Sequence, residues 1–297
     1  MARLQRLIRG VAGHANPDWA LVPIAHDYYH QSHLIHDFVQ QRSGVDAIVL
    51  GAGVIGLSVG VELAERGLGV HVLTRRDPLE TTSATASAMI GPSFSPADSP
   101  TGRWERAGIE QFTALADTPG SGVALRSGRL ASRQSVPPLP GLTPCTPHEL
   151  PPGIAAAWRT TVPLVDMHVY LAYLVQRPQA AGGHIVQREV SSLAEVAGEA
   201  ALIANCAGLG TRELVPDPAM RAVRGQLVIV DNPGLDEFFV EEPFRPAFTA
   251  YWPYPDHVVL GGTRADGDEN LEPDPVLAEQ ILERCRAIEP RLARAAR

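Results

Sequence analysis

The stretch Asp46–Leu73, with the sequence DAIVLGAGVIGLSVGVELAERGLGVHVL, decides the fold of this chain. Residues 47–50 are all apolar, which is typical of a strand buried on both faces of a parallel sheet. A G-x-G-x-x-G motif follows at once, then an apolar segment with helical spacing, and residues 70–73 are predicted to form the next strand. This context indicates a dinucleotide-binding turn inside a βαβ unit.

The three glycines of the motif have distinct physical roles. Gly51 allows a tight turn, Gly53 lets the backbone approach a pyrophosphate, and Gly56 lets helix and strand pack closely. Free N–H groups and the dipole at the helix N-terminus then hold the phosphates. The candidate cofactor-binding residues of the motif are Gly51, Ala52, Gly53, Val54, Ile55 and Gly56.

The end of the second strand bears on which dinucleotide binds. NAD sites usually place an acidic residue there, roughly 20 residues after the motif, to bind the ribose hydroxyls. In this chain that position is Thr74, followed by Arg75, Arg76 and Asp77. The two arginines are candidates to bind the extra phosphate of NADP, and a pair of exposed loop residues is the alternative. Arg75 is therefore a candidate cofactor-binding residue.

A small, hydroxyl-rich segment at residues 78–88, PLETTSATASA, favours a flavin. Together with the glycine motif it resembles the D-amino acid oxidase family of FAD enzymes. In that family a threonine- and serine-rich segment lines the pyrophosphate and the ring. The resemblance therefore implies FAD as cofactor and makes Thr81, Thr82 and Ser83 candidate FAD-binding residues.

Further matches to this family follow in its order along the chain. They resemble the entry into its substrate domain, the strand on its adenine, an NCTG-type turn and two later strands. Their residues here are, in that order, 158–166 with Tyr170 and Leu171, 187–190, 204–210, 224–226 and 258–262. The resemblance covers about residues 45–297 and adds Val190, Cys206, Ala207 and Gly208 to the candidate FAD-binding residues.

The resemblance implies an α/β fold, with a Rossmann-like FAD-binding domain and a substrate domain built on a mixed or antiparallel β-sheet. The predicted ranges are 45–105 and 183–220 for the FAD-binding domain, and 106–182 and 221–297 for the substrate domain. Apolar spacing predicts helices at residues 104–116 and 276–288. The proline-dense segment 135–153 is predicted to be a linker at the domain boundary.

The chemistry implied by the family is oxidative deamination of a D-amino acid. Hydride leaves the substrate α-carbon for the flavin, and O2 then reoxidises the flavin to give peroxide. Tyr251 is the candidate catalytic residue, because it occupies the family's place for a tyrosine that binds the substrate carboxylate. A core tyrosine in a sheet is the alternative. The second tyrosine of vertebrate-type members falls on Ala247 or Phe248, which carry no hydroxyl.

The family pattern continues past residue 297 with a strand that carries a substrate-binding arginine, a glycine-rich segment and a helix. A bidentate arginine–carboxylate pair contributes two charge-assisted hydrogen bonds of about 1.5–3 kcal/mol each. For these 297 residues alone we therefore expect substrate binding weaker by at least about a hundredfold. The expectation is a family member with impaired activity.

Residues 1–44 do not match this family. Residues 28–38, YYHQSHLIHDF, resemble the recognition-helix region of AraC-type regulators. Pro23 falls where an uninterrupted helix is expected, at a cost of about 3 kcal/mol, and a working regulator of this type needs a second helix-turn-helix. We interpret the segment as a helix-turn-helix-like remnant that does not bind DNA. A DNA-binding regulator fused to a flavin domain is the alternative.

The composition indicates which classes of partner the chain can have. Its net charge of −8 disfavours electrostatic binding to nucleic acid. The cysteines Cys145, Cys206 and Cys285 are far apart and lack metal-binding spacing, which favours reduced thiols in the cytoplasm. No apolar run reaches transmembrane length without a glycine. We expect a cytoplasmic enzyme that uses a D-amino acid, O2 and FAD, with no metal and no membrane, and a homodimer is left open.

Overall fold

The computed structural model describes residues 44–242 and 245–294. The front segment, with its AraC-like residues 28–38, lies outside the described residues apart from Gly44. Within them the fold is mixed α/β, with a small parallel sheet and a large mixed sheet. This confirms the predicted fold class. Among the described residues, no helix is both long and apolar enough to cross a membrane.

The small sheet is the part that the glycine motif predicts. Its four parallel strands, numbered in chain order, are β1 (Ala47–Leu50), β2 (Val70–Thr74), β7 (His184–Gln187) and β8 (Leu202–Asn205). Their order across the sheet is β7-β2-β1-β8, so β1 has a neighbour on each edge. Its side chains are 0–3% exposed, as expected for a continuous apolar run. Helix α1 (Val54–Glu65) follows the turn after β1 and confirms the predicted βαβ unit.

Eight strands form the large sheet. They are β3 (Ala88–Met89), β4 (Val123–Ser132), β5 (Thr143–Pro144), β6 (Ala156–Val165), β10 (Val228–Asp231), β11 (Phe238–Glu241), β12 (Ala247–Pro253) and β13 (His257–Thr263). The order is β10-β13-β12-β11-β4-β6-β3, with β5 also on β6. Only β11 and β4 pair in parallel within this sheet. Strands β9 (Val223–Arg224) and β14 (Ala265–Asp266) form a separate pair.

The longer helices begin at residues whose side chains accept hydrogen bonds from the first turn. Ser99, Asp166 and Asp274 cap α2 (Pro100–Leu115), α3 (Met167–Ala180) and α5 (Pro275–Ile288) in this way. Helix α4 (Thr211–Leu214) is a single turn after β8. The predicted helices at 104–116 and 276–288 are thus confirmed. Helix α3 packs with α1 in one apolar cluster beside the small sheet. The domain ranges given above remain a prediction from the sequence.

The two faces of the large sheet have different neighbours. The outer face carries Phe239, Tyr251 and Leu260, and α5 covers it with an apolar stripe that includes Ile281 and Leu282. The inner face is formed by the opposite side chains of the same strands. Its members include Val162, Leu164, Phe238, Val240, Phe248, Ala250, Trp252 and Val259, and both Met89 of β3 and Tyr254 pack with them.

The sheet curls around its inner face. Tyr254 directly follows β12, and its hydroxyl donates a hydrogen bond to the carbonyl of Val165 on β6 at 3.0 Å. In the sheet order β6 lies three strands away from β12. Three strand spacings of a flat sheet are about 14 Å, which is more than a tyrosine side chain can span. The inner face is therefore concave.

The proline-dense segment 135–153 is not a linker between domains, so this prediction is wrong. It connects β4 to β6, which pair along their whole length within one sheet. Inside the segment, β5 lies along β6, and a 3₁₀ turn at Pro147–Glu149 follows it. The turn is held because Arg159 of β6 donates a hydrogen bond to the carboxylate of Glu149 at 2.9 Å. The segment is an excursion from a single β-hairpin.

Candidate cofactor site

The glycine turn after β1 is packed too closely for side chains. Gly51 has φ +103°, and a Cβ there would lie closer than 3.0 Å to the carbonyl oxygen of Cys206. A Cβ at Gly56 would overlap the carbonyl oxygen of Gly51 within the turn itself. A Cβ at Gly53 would lie 3.0 Å from Ser83 Oγ. Glycine at these positions allows the turn, the helix packing and the close approach of a ligand.

The N-terminus of α1 opens at this turn. Its N-cap is Gly53, which has no side chain to accept a hydrogen bond, and its first turn holds no acidic residue. The N–H of Val54 donates to Ser83 Oγ at 3.0 Å. Ala52 is 1% exposed whereas Ile55 is 46% exposed, so the turn is anchored on one side and open on the other. A helix N-terminus of this kind favours a phosphate through its N–H groups and dipole.

The hydroxyl-rich segment meets this helix through one of its three candidate residues. Ser83 is the residue in contact with α1, as described above. Thr81 Oγ1 instead donates to the carbonyl of Pro78 at 2.7 Å, and the carbonyl of Thr82 accepts from Thr85 Oγ1 at 3.0 Å. These two local bonds shape the segment. The structure therefore brings Ser83 to the turn and uses Thr81 and Thr82 within the segment.

The end of β8 forms the other wall of the turn. The N–H of Cys206 donates to the carbonyl of Leu50 at 2.8 Å, which holds β8 beside the glycine turn. Burial raises the pKa of the Cys206 thiol to about 12, so this thiol stays protonated and apolar at neutral pH. Ala207 and Gly208 follow as the chain turns into a short 3₁₀ helix, with Gly208 at φ +58°. The predicted NCTG-like residues thus lie next to the predicted glycines.

Asn205 is a residue of this wall that sequence reasoning did not select. Its Oδ1 accepts from the N–H of Ala207 at 3.3 Å and from Thr211 Oγ1 at 3.2 Å. These bonds fix the orientation of the amide. Its Nδ2 is buried and finds no hydrogen-bond partner among the described residues. Buried amide donors are normally satisfied, so the site fits a ligand that supplies an acceptor here.

The end of β2 carries no acidic side chain at the ribose position. Thr74 is buried, and its hydroxyl donates to the carbonyl of Arg76 at 2.7 Å. The Arg75 side chain is 56% exposed, with Nη1 4.0 Å from Glu189 Oε1. A solvated pair of this kind is weak and does not form a preorganised phosphate pocket. Val190 lies beyond the end of β7 and packs, partly buried, on the apolar cluster under the opposite face of the small sheet.

Tyr251 does not lie on the inner face of the large sheet. It is 2% exposed on the outer face, where its ring stacks on Phe239 with centroids 5.6 Å apart. Burial raises its pKa to about 12, and its hydroxyl also interacts with Arg129. Side chains alternate along a strand, so Ala250 and Trp252 take the inner face instead. The structure thus separates Tyr251 from the residues of the glycine turn, and its predicted contact with a substrate carboxylate is not favoured by this geometry.

Two inner-face features escaped sequence reasoning. Trp252 has a buried Nε1 donor with no acceptor among the described residues, and Tyr254 forms a hydrogen bond of 2.9 Å with Ser87. The spacing of Ala250, Trp252 and Tyr254 is a period-2 signal that identifies one face. It does not say which face meets the hydroxyl-rich segment, because α5 decides that through contacts distant in sequence.

The site as a whole fits a dinucleotide. The close glycine backbone, the open N-terminus of α1 and the unpartnered Asn205 amide lie at one edge of the small sheet, where the carboxyl ends of its strands meet. The described residues contain no group of three or more His, Cys, Asp or Glu side chains arranged to hold a metal ion.

Comparisons with known proteins agree with this site. A family model described as FAD dependent oxidoreductase (DAO) matches residues 46–297. A D-amino-acid oxidase of Rubrobacter xylanophilus is 42% identical over 253 residues, which are 83% of this chain and 78% of that protein. A D-amino-acid oxidase of Streptomyces coelicolor is 38% identical over 262 residues, 85% of this chain and 80% of that protein. A human D-aspartate oxidase is 32% identical over 263 residues, which are 82% of this chain and 76% of that protein.

Solved structures show the same fold at low sequence identity. Glycine oxidase from Geobacillus kaustophilus has a TM-score of 0.71 at 18% identity, with 84% of this chain and 79% of that chain covered. L-proline dehydrogenase from P. horikoshii has a TM-score of 0.69 at 13% identity, with 86% and 80% covered. At such identities the likeness concerns the fold alone.

Proposed function

The chain belongs to the DAO family of FAD-dependent oxidoreductases, and on that premise we propose that it oxidises D-amino acids with O2 as the electron acceptor. In the overall reaction, a D-amino acid, O2 and water give a 2-oxo acid, ammonia and hydrogen peroxide. The substrate loses two electrons and two hydrogens, which reduce O2 to peroxide, and water hydrolyses the resulting imine. Bound FAD supplies the intermediate two-electron acceptor.

The glycine turn is the observation that supports FAD as the cofactor. The turn has no side chains at Gly51 and Gly53, which favours the close approach of a pyrophosphate to its backbone, and the N–H groups at the start of α1 favour its charge. Asn205 Nδ2 offers a fixed donor on the wall formed by β8. The D-amino acid as substrate class is supported by the relatives, which cover most of this chain.

The inner face of the large sheet is the surface we propose for the substrate. Phe248 and Trp252 are partly buried there, and Met89 brings the strand that follows the hydroxyl-rich segment onto the same face. Apolar side chains on a concave surface exclude water, which favours hydride transfer over side reactions. The donor of Trp252 is the polar group that this surface leaves unpartnered among the described residues.

The experiment is an absorbance spectrum of the purified full chain, repeated after anaerobic addition of D-alanine. We expect a yellow protein whose flavin bands bleach with D-alanine and persist with L-alanine, the matched control. Admission of air should restore the colour and release one peroxide per turnover. Flavin bands that no D-amino acid bleaches, in a panel that includes D-aspartate, would contradict the substrate class. A bleached protein that air does not reoxidise would contradict O2 as acceptor.

The cytoplasmic location, the homodimer and the absence of DNA binding by residues 1–44 remain predictions from the sequence. We propose all three, and the last two can be tested with the same purified chain. Gel filtration tests the dimer, and titration with duplex DNA at two salt concentrations tests the front segment, because electrostatic DNA binding weakens steeply with salt.

A further inference from the structure

Tyr254 joins three parts of the molecule through one hydroxyl. The residue is 6% exposed and follows β12 at the rim of the inner face. Its hydroxyl lies 3.0 Å from the carbonyl of Val165, where β6 ends, and 2.9 Å from Ser87 Oγ. The end of β12, the end of β6 and the hydroxyl-rich segment therefore meet at a single atom.

The directions of these hydrogen bonds follow from the chemistry of the groups. A carbonyl oxygen can only accept, so the single proton of the Tyr254 hydroxyl goes to Val165. The Ser87 hydroxyl must then donate to the Tyr254 oxygen. Burial raises the pKa of Tyr254 to about 12, so the hydroxyl keeps its proton at neutral pH. The arrangement has one orientation of its hydroxyl protons.

Tyr254 is itself held in place by contacts of its own hairpin. Its ring stacks on His257, with centroids 4.8 Å apart and an interplanar angle of 19°. Its N–H donates to the carbonyl of His257 at 2.8 Å, and its own carbonyl accepts from Asn232 Nδ2 at 2.7 Å. The hairpin of β12 and β13 thus fixes both the backbone and the ring, so the hydroxyl is a rigid anchor for its partners.

The segment between Ser83 and Ser87 connects this anchor to the phosphate-binding turn. Ser83 contacts the N-terminus of α1, and Ser87 contacts Tyr254. Four residues of chain span at most about 14 Å. A dinucleotide whose pyrophosphate lies at α1, and whose reactive ring faces the inner face of the sheet, has to pass along this segment.

We propose that Tyr254 is a positioning residue that fixes the Ser83–Ala88 backbone against the flavin, so that its hydroxyl sets FAD affinity and the placement of the ring over the inner face. The inference rests on FAD as the cofactor, but it does not depend on which substrate is oxidised. Loss of the hydroxyl removes one hydrogen bond to the carbonyl of Val165 and takes from the Ser87 hydroxyl the oxygen to which it donates. The segment then gains conformational freedom. FAD binding becomes weaker, because it has to order the segment again.

The test compares Tyr254→Phe and Ser87→Ala with Tyr173→Phe, a matched control that removes a hydroxyl from α3 while its ring keeps the contact with Arg177. FAD is removed from each full-length protein and titrated back, with binding followed by quenching of flavin fluorescence. Each of the first two changes should weaken FAD binding about 3- to 10-fold, the equivalent of one lost hydrogen bond. The control should stay within about twofold of the parent chain.

Two further readouts separate positioning from a merely structural role. The circular dichroism of the bound flavin should change in Tyr254→Phe, because the ring moves relative to the sheet, and should not change in Tyr173→Phe. The double variant with Ser87→Ala should bind FAD no more than about twofold less tightly than Tyr254→Phe, because both changes break one arrangement.

Opposite results overturn the inference. FAD affinity and flavin dichroism equal to those of the parent chain in both Tyr254→Phe and Ser87→Ala would show that the hydroxyl positions nothing. If Tyr254→Phe fails to fold, Ser87→Ala alone decides, because it removes one partner and leaves the bond to Val165. A parent chain without affinity for FAD would remove the proposed function together with this inference, whereas absent turnover with normal FAD binding would leave the inference standing.

Discussion

Val54 and Ser83 are 29 positions apart in sequence, yet the N–H of Val54 donates a hydrogen bond to Ser83 Oγ at 3.0 Å. The bond closes the first turn of α1 with a side chain from the segment after β2. It serves as an N-cap supplied from a distance, because Gly53 at the N-cap has no side chain to do so. The phosphate-binding end of the helix and the hydroxyl-rich segment are therefore one structural unit.

Ser83→Ala should lower the free energy of unfolding of the FAD-free protein by about 1 kcal/mol, the usual effect of a lost N-cap. Urea denaturation measures this. Ser83→Thr keeps the hydroxyl and should restore most of the stability. Ser58→Ala is the matched control, because Ser58 Oγ donates to the carbonyl of Val54 within α1 and leaves the N–H untouched. Equal losses in Ser83→Ala and Ser58→Ala would contradict a capping role for Ser83.

Gly56→Ala should prevent the turn from forming, because its Cβ would overlap the carbonyl oxygen of Gly51. The gain in helix propensity of about 1 kcal/mol cannot offset a backbone overlap. We expect FAD affinity to fall by at least about tenfold, measured by fluorescence titration. Gly60→Ala lies in the same helix, but its Cβ would meet only Cγ2 of Val72 at 2.8 Å. This contact lies in the core and away from the glycine turn, so the control should lose stability but keep its FAD affinity within about twofold of the parent chain.

Tyr251→Phe should act on stability and not on the substrate. Its hydroxyl interacts with Arg129 on the outer face, under α5, and the loss of this interaction should cost about 1 kcal/mol of unfolding free energy. The KM for D-alanine should change by less than about twofold, because the hydroxyl lies on the face opposite Trp252 and Tyr254. A KM raised about tenfold at unchanged stability would instead support the carboxylate-binding role that the sequence predicts.

The excursion between β4 and β6 should loosen in acid. The pKa of Glu149 falls from 4.5 to about 2, first because the N–H of Thr146 donates to its carboxylate and then because Arg159 does. A depressed carboxylate pKa gives stability that is fully present above about pH 4.5 and is lost as the pH falls towards about 2. Unfolding measured across this range should show a smaller pH dependence in Glu149→Gln than in the parent chain.

That comparison has its own control. Glu199→Gln removes a carboxylate that pairs with Arg188 on the small sheet, and therefore leaves the excursion intact. Limited proteolysis at pH 3 should cut within residues 135–153 of the parent chain, and Glu199→Gln should be cut at the same places. An excursion that resists cleavage in acid as it does at pH 7 would show that Glu149 does not hold it.

The sequence predicts the small sheet well because its signals are local. Residues 46–73 contain an apolar run, three glycines and a segment with helical spacing. Together these signals predict where β1 ends, where α1 begins and which part of the backbone approaches the cofactor. The same residues then meet Cys206 and Ser83 as the motif requires. The family resemblance supplied the β8 residues, which no local pattern marks as neighbours of the turn.

The large sheet was harder to predict because its strands depend on partners far away in sequence. Residues 156–165 form a strand because they pair along their length with β4, and the prolines between the two strands look like a linker when that pairing is unknown. The face of the sheet on which Tyr251 lies could not be predicted for a related reason. Alternation places it opposite Trp252, but only the docking of α5 shows which of the two faces is closed.

The position of β1 in its sheet also determines when the cofactor site can be completed during synthesis of the chain. Leu50 pairs with Asn205, so one edge of β1 and one wall of the glycine turn come from chain that is made much later. At ordinary rates of synthesis, the roughly 150 residues between β1 and β8 take on the order of 10–30 s to appear. During that interval the nascent chain has an incomplete cofactor site, and one edge of β1 has no neighbouring strand. The flavin can be captured only once Cys206 has emerged, so loading of the cofactor is a late step in the life of the nascent chain.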